Sequence, residues 1–163
     1  MAYNCPVANL FVYYSCTGNV EEAAKRLQEK GYDLREAKRK KPLPKSFFFR
    51  VLSGGFLAGL SHKDKLLDFD PDISSYDEIL IGSPIWNGRF SSPINTVLSV
   101  LNLDSKKVRF LFCSGSGEAP KALKRIQKEY PSAEAVVLKE PKKHPEEWNK
   151  LEAFINEGKK EHE

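Results

Sequence analysis

The chain has 163 residues, of which 40% are hydrophobic and 29% charged, and this size and composition are typical of one soluble globular domain. The sequence contains no apolar run near the ~20 residues that span a bilayer, and no signal peptide is evident, so we expect neither a membrane-spanning nor a secreted protein. Three scattered cysteines without a CxxC pair indicate reduced thiols, so we expect a cytoplasmic protein.

The formal net charge is +4, and the basic excess is concentrated in residues 35–45 and again in residues 138–144. Two interpretations stay open: a solvated basic surface, or a docking surface for an acidic partner or an anionic ligand. Nucleic acid is a poor fit as a partner, because no aromatic residues interleave with the basic run and no binding motif is present.

The first third of the chain predicts a strand, a helix and a second strand. Residues 7–14 form an apolar run that predicts the first strand. Apolar residues then recur at helical spacing over 19–30, where Asn19 is placed to cap the helix and Glu22 to complete a capping box. Residues 32–37 alternate in polarity, which predicts a short strand near an edge of the sheet.

The rest of the chain alternates between buried strands and amphipathic helices. The aromatic segment 42–67 predicts a helix interrupted around Gly54 and Gly55. For its stretch SFFFRVLSGGF, residues 46–56, we favour a core position over a lid or a dimer contact. The later elements are strands over 78–83, 108–114 and 133–139, and helices over 91–103, from Ala119 to near Pro131, and from Pro145 onward.

Five strands that alternate with helices predict a parallel sheet covered on both faces. We expect a single domain over residues 1–163, with its core at about 7–158 and a short flexible tail, EGKKEHE. An open sheet of this kind binds ligands at the carboxyl ends of its strands, so the loops that follow the strands are the candidate site.

The first of these loops, SCTGN, joins the first strand to the first helix. Ser15 and Thr17 supply hydroxyl donors, Gly18 lets the backbone approach a ligand, and a helix N-terminus follows. The loop contains no Lys or Arg, so it predicts a site where neutral donors hold a terminal phosphate. A capped corner with nothing bound is the alternative, and a reactive thiolate at Cys16 is a further one.

Three other phosphate chemistries do not match the loops. A Walker loop requires Gly-Lys-Ser/Thr, which is absent. In GSGEAP, Pro120 stands where a dinucleotide fingerprint has its third glycine. A low-molecular-weight tyrosine phosphatase needs an Arg after its loop cysteine, and residues 17–22 contain none.

The second and third loops have the composition of a site for a flat ring. In IGSPIWNG, two interpretations of Trp86 stay open. Its indole either covers the end of the core or provides a flat face for a planar heterocycle. The third loop, CSGSGEA, is small and hydroxylic, and its backbone N–H groups can bond ring carbonyls. The three loops together predict a cleft with a phosphate end and a ring end, which is the shape of flavin mononucleotide (FMN).

With these features the sequence resembles the flavodoxin family. The matching stretches are VYYSCTGNV, YDEILIGSPIWNGRFSSPINTVL and VRFLFCSGSGEAPKALKRI. The phosphate loop of the family reads Thr/Ser-x-Thr-Gly-x-Thr, and Val20 departs from it by removing one hydroxyl. The resemblance implies an α/β three-layer sandwich whose five-stranded parallel sheet has the order 2-1-3-4-5.

The resemblance also implies a bound FMN and the residues that would hold it. The phosphate group would lie at Ser15, Thr17, Gly18, Asn19 and Val20. Pro84, Ile85, Trp86, Asn87 and Gly88 would pack on and edge the isoalloxazine, and Ser114, Gly115, Ser116 and Gly117 would line its other side. No residue is assigned a catalytic or metal-binding role.

The function that follows is an electron-transfer protein that shuttles electrons through a non-covalent flavin. Two alternatives remain: an NAD(P)H-dependent FMN or quinone reductase of the same fold, and a scaffold that kept the fold and lost the flavin. Electron-carrier flavodoxins are usually acidic whereas this chain is basic, so we expect an acidic redox partner protein or direct use of NAD(P)H. Neither a membrane nor nucleic acid is expected as a partner, and the chain is expected to be a monomer or a homodimer.

Overall fold

The computed structural model describes residues 7–42 and 63–160. The strands are β1 (Asn9–Tyr13), β2 (Asp33–Glu36), β3 (Glu78–Trp86), β4 (Arg89–Phe90), β5 (Lys107–Ser114) and β6 (Glu134–Lys139). The helices are α1 (Asn19–Glu29), α2 (Ser92–Val100), α3 (Pro120–Glu129) and α4 (Trp148–Lys160), with a 3₁₀ turn at Pro145–Glu147 before α4. The predicted interrupted helix and its aromatic stretch fall mainly on residues 43–62, outside the described residues.

The five long strands form one parallel sheet in the order β2-β1-β3-β5-β6. This is the predicted order 2-1-3-4-5, with β2 at one edge as expected and the two-residue β4 added beside β3. In the centre of the sheet, Val12 lies opposite Ile81 and Gly82 lies opposite Leu111. The carboxyl ends of all five strands therefore meet at one edge.

Both faces of the sheet are covered by helices, which confirms the predicted three-layer sandwich. Side chains alternate between the two faces along each strand, so the core divides into two clusters. The cluster under α2 and α3 contains Leu10, Val12, Ile79, Ile81, Phe110, Phe112, Ile94, Val97, Ala122 and Ile126. The cluster under α1 and α4 contains Phe11, Tyr13, Leu80, Leu111, Val20, Ala23, Leu27, Leu151 and Ile155.

The third strand is longer than the predicted 78–83, because it turns back on itself at Asn87 and Gly88. Both residues have positive φ, 50° and 75°, as a two-residue hairpin turn of type I′ requires. Ile85 then lies opposite Phe90, and Trp86 opposite Arg89, in the antiparallel pair of β3 and β4. Pro84, Ile85 and Trp86 are therefore strand residues rather than the loop that the sequence predicted.

The N-terminus of α1 also differs from the prediction. Gly18, with φ of 89°, occupies the capping position, and no side chain makes the capping bond expected from Asn19. The side chain of Asn19 instead donates to Thr17 Oγ1 and accepts from the backbone of Lys142, both over 3.1 Å. Because that side chain is already bonded elsewhere, the predicted capping box does not form.

The last helix continues further than the sequence indicated. Helix α4 extends through Lys160, although we expected a flexible tail from Glu157. Gly158 is buried and packs against the guanidinium of Arg109, which is itself fully buried. Within residues 7–42 and 63–160, no helix has the length and apolar character needed to cross a bilayer.

Candidate functional site

The three predicted loops lie at the carboxyl edge of the sheet, as expected from the topology. Residues 15–18 follow β1, the Asn87–Gly88 turn follows β3, and residues 115–119 follow β5. Strands β1 and β3 are neighbours, and the N–H of Tyr14 donates to the carbonyl of Gly82 over 3.2 Å where the first loop begins. The loop after β6, which the sequence analysis did not include, reaches the same edge.

The first loop presents a run of backbone donors at the start of α1. The N–H groups of residues 16–20 donate to no acceptor in the described part of the chain, whereas that of Glu21 donates to Ser15 Oγ over 3.1 Å. The side chain of Val20 is 1% exposed, so this residue offers a ligand only its backbone. Five successive donors at the positive end of a helix make an anion site of the predicted kind.

A lysine from the loop after β6 lies beside Gly18 in the first loop. The Lys142 ammonium nitrogen is 3.0 Å from the position that a Cβ on Gly18 would occupy. No carboxylate lies within ion-pair distance of it among the residues that the structure describes. The prediction of a site with neutral donors alone is therefore wrong, because it considered cations only within the loop.

The electrostatics of this corner favour an anion. The positive end of a helix disfavours a bare ammonium nearby, and the acidic Glu21 and Glu22 in the first turn offset that cost only partly. Glu22 is engaged with Lys25 over 3.7 Å. An anion between Lys142 and the free N–H groups would remove the remaining repulsion.

Beside the first loop, Tyr14, Ser15 and Cys16 line a cavity of about 260 Å³ together with Arg39 and other residues of the adjoining segment. Burial raises the pKa of the Cys16 thiol to about 11, and bonding to Tyr14 only partly opposes this. Burial also raises the pKa of the Tyr14 phenol, and the nearby Cys16 adds to that effect. The reactive thiolate considered for Cys16 is thus disfavoured.

Trp86 does not present the open face that the sequence predicted. Its indole is 1% exposed, and it meets the ring of Tyr14 edge to face, with the centroids 6.0 Å apart. The indole Nε1 is buried and has no hydrogen-bond partner among residues 7–42 and 63–160. The reason is the β3–β4 hairpin, which holds residue 86 within the sheet rather than on a loop.

The second and third loops come together around another cavity, of about 390 Å³. Its walls include Ile85, Asn87 and Gly88 from the hairpin and Ser114, Gly115 and Ser116 from the third loop, with Glu118, Pro120 and Lys121 completing the lining. No described residue lines both this cavity and the one at the first loop.

The third loop uses its hydroxyls to fix its own shape. Ser114 is 5% exposed, donates to the carbonyl of Glu118 over 2.7 Å and accepts from the N–H of Ser116 over 3.3 Å. Gly117 completes the turn with φ of 82°. The carbonyl of Gly88 accepts from the N–H of Ala122 over 2.8 Å, which ties the hairpin to α3. The assignment of these residues to a cofactor stays a prediction.

Similar proteins of known structure share this architecture. A proposed flavoprotein from Bacteroides eggerthii aligns with a TM-score of 0.68 at 24% identity, covering 90% of this chain and 98% of its own. A flavoprotein from Lactobacillus acidophilus in complex with FMN aligns with a TM-score of 0.67 at 20% identity, covering 86% and 98%. A proposed flavoprotein from Bacteroides uniformis gives 0.67 at 24% identity, covering 79% and 89%. At these identities the likeness establishes the fold alone.

The family itself is established from the sequence. No curated protein matches the chain significantly. A family model described as flavodoxin matches residues 56–156, which is more than half of the chain and includes β3, the hairpin, the third loop and Lys142. On that match, and with the sheet order and strand-end loops described above, the chain belongs to the flavodoxin family.

Proposed function

We propose that this protein binds FMN non-covalently and transfers electrons through it. The observation that carries the proposal is the anion site of the first loop, where the N–H groups of residues 16–20 have no acceptor in the described part of the chain and the Lys142 ammonium nitrogen lies 3.0 Å from the Cβ position of Gly18. A flavin mononucleotide ends in a phosphate of the kind that such a site holds. Membership of the flavodoxin family and the FMN found in the Lactobacillus acidophilus flavoprotein support the same ligand.

The residues present fit the two ends of this cofactor. The first loop has backbone donors, the hydroxyl of Thr17 and a Gly18 cradle that a Cβ would fill, all suited to the phosphate. We assign the edge of the ring system to the cavity of Ile85, Asn87, Gly88 and the third loop.

The protein contributes binding, orientation and exclusion of water. FMN, when bound, supplies the one- and two-electron chemistry. The apolar surroundings of Tyr14 and Trp86 would disfavour negative charge on a nearby group, because a charge is costly in a medium of low dielectric. Cys16 and Cys113 are free thiols, which fits a reducing compartment such as the cytoplasm.

The test is a titration of the apoprotein with FMN and, separately, with riboflavin, which lacks the phosphate. We expect quenching of flavin fluorescence with FMN and weaker binding of riboflavin. If FMN does not bind, the redox function is wrong and the flavin-free scaffold replaces it, an interpretation that the burial of Trp86 favours.

A reductase is the second candidate, and the formal net charge of +4 favours it, because a positive protein attracts the anionic phosphates of a pyridine nucleotide. The FMN-loaded protein is mixed with NADPH alone, and oxidation is followed by absorbance. Turnover without a helper reductase would establish the enzyme, and its absence would favour the electron shuttle.

A further inference from the structure

A basic surface next to the first loop is built by two short segments, 38–41 and 63–67, which we name the lysine ladder. The segments pair antiparallel at Arg39 and Leu66. The N–H of Lys40 donates to the carbonyl of Lys65 over 2.8 Å, and that of Leu67 to the carbonyl of Lys38 over the same distance. The backbone of the ladder is therefore fixed by hydrogen bonds.

The inward side chains anchor the ladder to α2. Arg39 forms an ion pair with the buried Asp64, with Nε and Oδ2 3.0 Å apart, and its Nη2 donates to Oδ1 over 3.1 Å. Ser92 donates its hydroxyl to Asp64 Oδ2 over 2.6 Å, and Thr96 donates to the carbonyl of Asp64 over 2.6 Å. Because side chains alternate along an extended segment, Lys40, Lys63 and Lys65, which flank Arg39 and Asp64, face outward, and Lys41 is also exposed at the bend that follows Arg39.

The outward side chains are lysines whose charges are not neutralised by the rest of the described chain. Lys40, Lys41, Lys63 and Lys65 are exposed, and none of them has a carboxylate within 4.0 Å among residues 7–42 and 63–160. Fixing four like charges on one surface costs free energy through repulsion, which an acidic partner would relieve.

The chemistry of the surface favours a protein over a nucleotide. The described residues that line the cavity of about 450 Å³ here are all charged, namely Arg39, Lys40, Lys41, Lys63, Asp64 and Lys65. Lysines are mobile point charges, and the planar guanidinium of Arg39, which would clamp a phosphate more rigidly, is already paired with Asp64. Complementary rim charges are instead typical of surfaces that steer one protein onto another.

We propose that the lysine ladder is the docking surface for the acidic face of a redox partner protein. Arg39 lines both the ladder cavity and the cavity at Tyr14 and Ser15, so a partner docked on the ladder lies beside the candidate phosphate loop. The redox character of the partner rests on the proposed function. The preference of the ladder for an acidic protein surface does not.

The first test measures binding by the apoprotein and needs no flavin. Fluorescein-labelled poly-L-glutamate is the probe, and its anisotropy is measured at low and at physiological ionic strength. The variant K40Q/K41Q/K63Q/K65Q is compared with K124Q/K128Q/K159Q/K160Q, whose lysines are exposed and without ion pairs in the described structure. Both variants lose four charges, and circular dichroism checks that both are folded.

We expect the ladder variant to lose about tenfold or more in affinity and the matched variant about twofold or less. Equal losses would show that only net charge matters and would overturn the proposal. Failure of the wild-type chain to bind the polymer at low ionic strength would overturn it as well. If NADPH competes with the polymer at the ladder with higher affinity, the surface is a nucleotide site and the proposal is wrong.

The second test uses the FMN-loaded protein after photoreduction. Rates of reduction of ferricyanide, an anion, and hexaammineruthenium(III), a cation, are compared for the same variants. The ladder variant should reduce ferricyanide severalfold more slowly than the wild type does, and it should reduce hexaammineruthenium(III) no more slowly. If neither rate falls in the ladder variant, the proposed role of the ladder is wrong. If no flavin binds, the proposed function fails while the polymer experiment still decides the docking surface.

Discussion

The backbone N–H of Lys142 donates to Oδ1 of Asn19 over 3.1 Å and fastens the loop after β6 to the loop after β1. The same Asn19 donates its Nδ2 to Thr17 Oγ1. One side chain therefore bonds to both the loop after β1 and the loop after β6. This contact places the ammonium of Lys142 beside Gly18, in the loop whose N–H groups at residues 16–20 have no acceptor in the described part of the chain. The candidate phosphate site thus depends on a contact between distant parts of the chain.

Lys142→Met should weaken FMN binding selectively. The substitution removes a charge beside the phosphate, and we expect about tenfold lower affinity for FMN, since a charge-assisted hydrogen bond contributes about 1.5 to 3 kcal/mol before screening. Affinity for riboflavin should be unchanged, because riboflavin has no phosphate. Fluorescence titration of both ligands measures the difference.

The control for this prediction is Lys143→Met. Lys143 is the next residue, but its ammonium is engaged with Glu140 over 2.8 Å and has no contact with Gly18. Its removal should leave the ratio of FMN to riboflavin affinity as it is in the wild type. An equal decrease in both lysine variants would mean that general charge, and not the position of Lys142, attracts the nucleotide.

Asp64→Asn should destabilise the protein, because it breaks a buried ion pair while leaving the cation in place. Asp64 is 8% exposed and is held by Arg39 and Ser92. Loss of one partner of a buried pair costs about 3–5 kcal/mol, and we expect the lower part of that range because the amide keeps one acceptor. Urea denaturation provides the measurement. The exposed Asp68→Asn serves as the control, and a change of similar size there would contradict the assigned role.

The architecture could be predicted from the sequence because it rests on local periodicity. Apolar runs and helical spacings alternate along the chain, and right-handed crossovers then leave few sheet orders. The order of the five long strands is therefore confirmed. The positions of the loops at one edge follow from the same topology, which is why Asn87 and Gly88 meet Ser114 and Gly115 as expected.

The errors arose where a local signal was misassigned or a distant contact decided the outcome. Asn-Gly at 87–88 is a strong hairpin signal, but the sequence analysis assigned these residues to a loop and therefore predicted an exposed Trp86. In the structure Trp86 belongs to the hairpin and is buried. Lys142 lies 123 residues from Asn19, so no local pattern links them. Its one sequence signal was a pair of lysines, Lys142 and Lys143, in a loop that follows a strand at the same edge.

Alkaline pH should destabilise the folded protein through its buried thiols. Burial raises the pKa of Cys16 to about 11 and that of Cys113 to about 12. Near pH 8 both states keep these protons, but above the ordinary thiol pKa of about 8.5 the unfolded chain releases them first. The native state then holds more protons, so the free energy of unfolding falls as pH rises, by up to about 1.4 kcal/mol per pH unit for each thiol.

Urea unfolding at about pH 8, 8.5 and 9 measures this slope, because the tyrosines of the unfolded chain, with an ordinary pKa of about 10, still keep most of their protons in this range. The matched variant replaces both thiols, as C16A/C113A, and should show a shallower dependence on pH than the wild type. If the two slopes agree, the thiols are not the buried neutral groups that the structure describes.

Gly158→Ala should destabilise the protein, although alanine is the better helix former. A Cβ at 158 would lie 3.0 Å from Cζ of Arg109 and closer still to its Nη1. That guanidinium has little freedom to withdraw. It lies 3.6 Å from the centroid of the Phe154 ring, donates to Glu134 over 3.2 Å, and is paired with the buried Glu78 over 3.7 Å.

Helix propensity alone would make the alanine variant more stable by about 0.8–1 kcal/mol, whereas overpacking against a held side chain costs about 1–3 kcal/mol. We expect overpacking to exceed propensity, for a net loss of about 1 kcal/mol in the free energy of unfolding. Gly115→Ala is the matched control, because a Cβ there meets nothing within 4 Å. A gain in stability for the 158 variant in urea would show that Arg109 can move, and the buried ion network would then be looser than its contacts indicate.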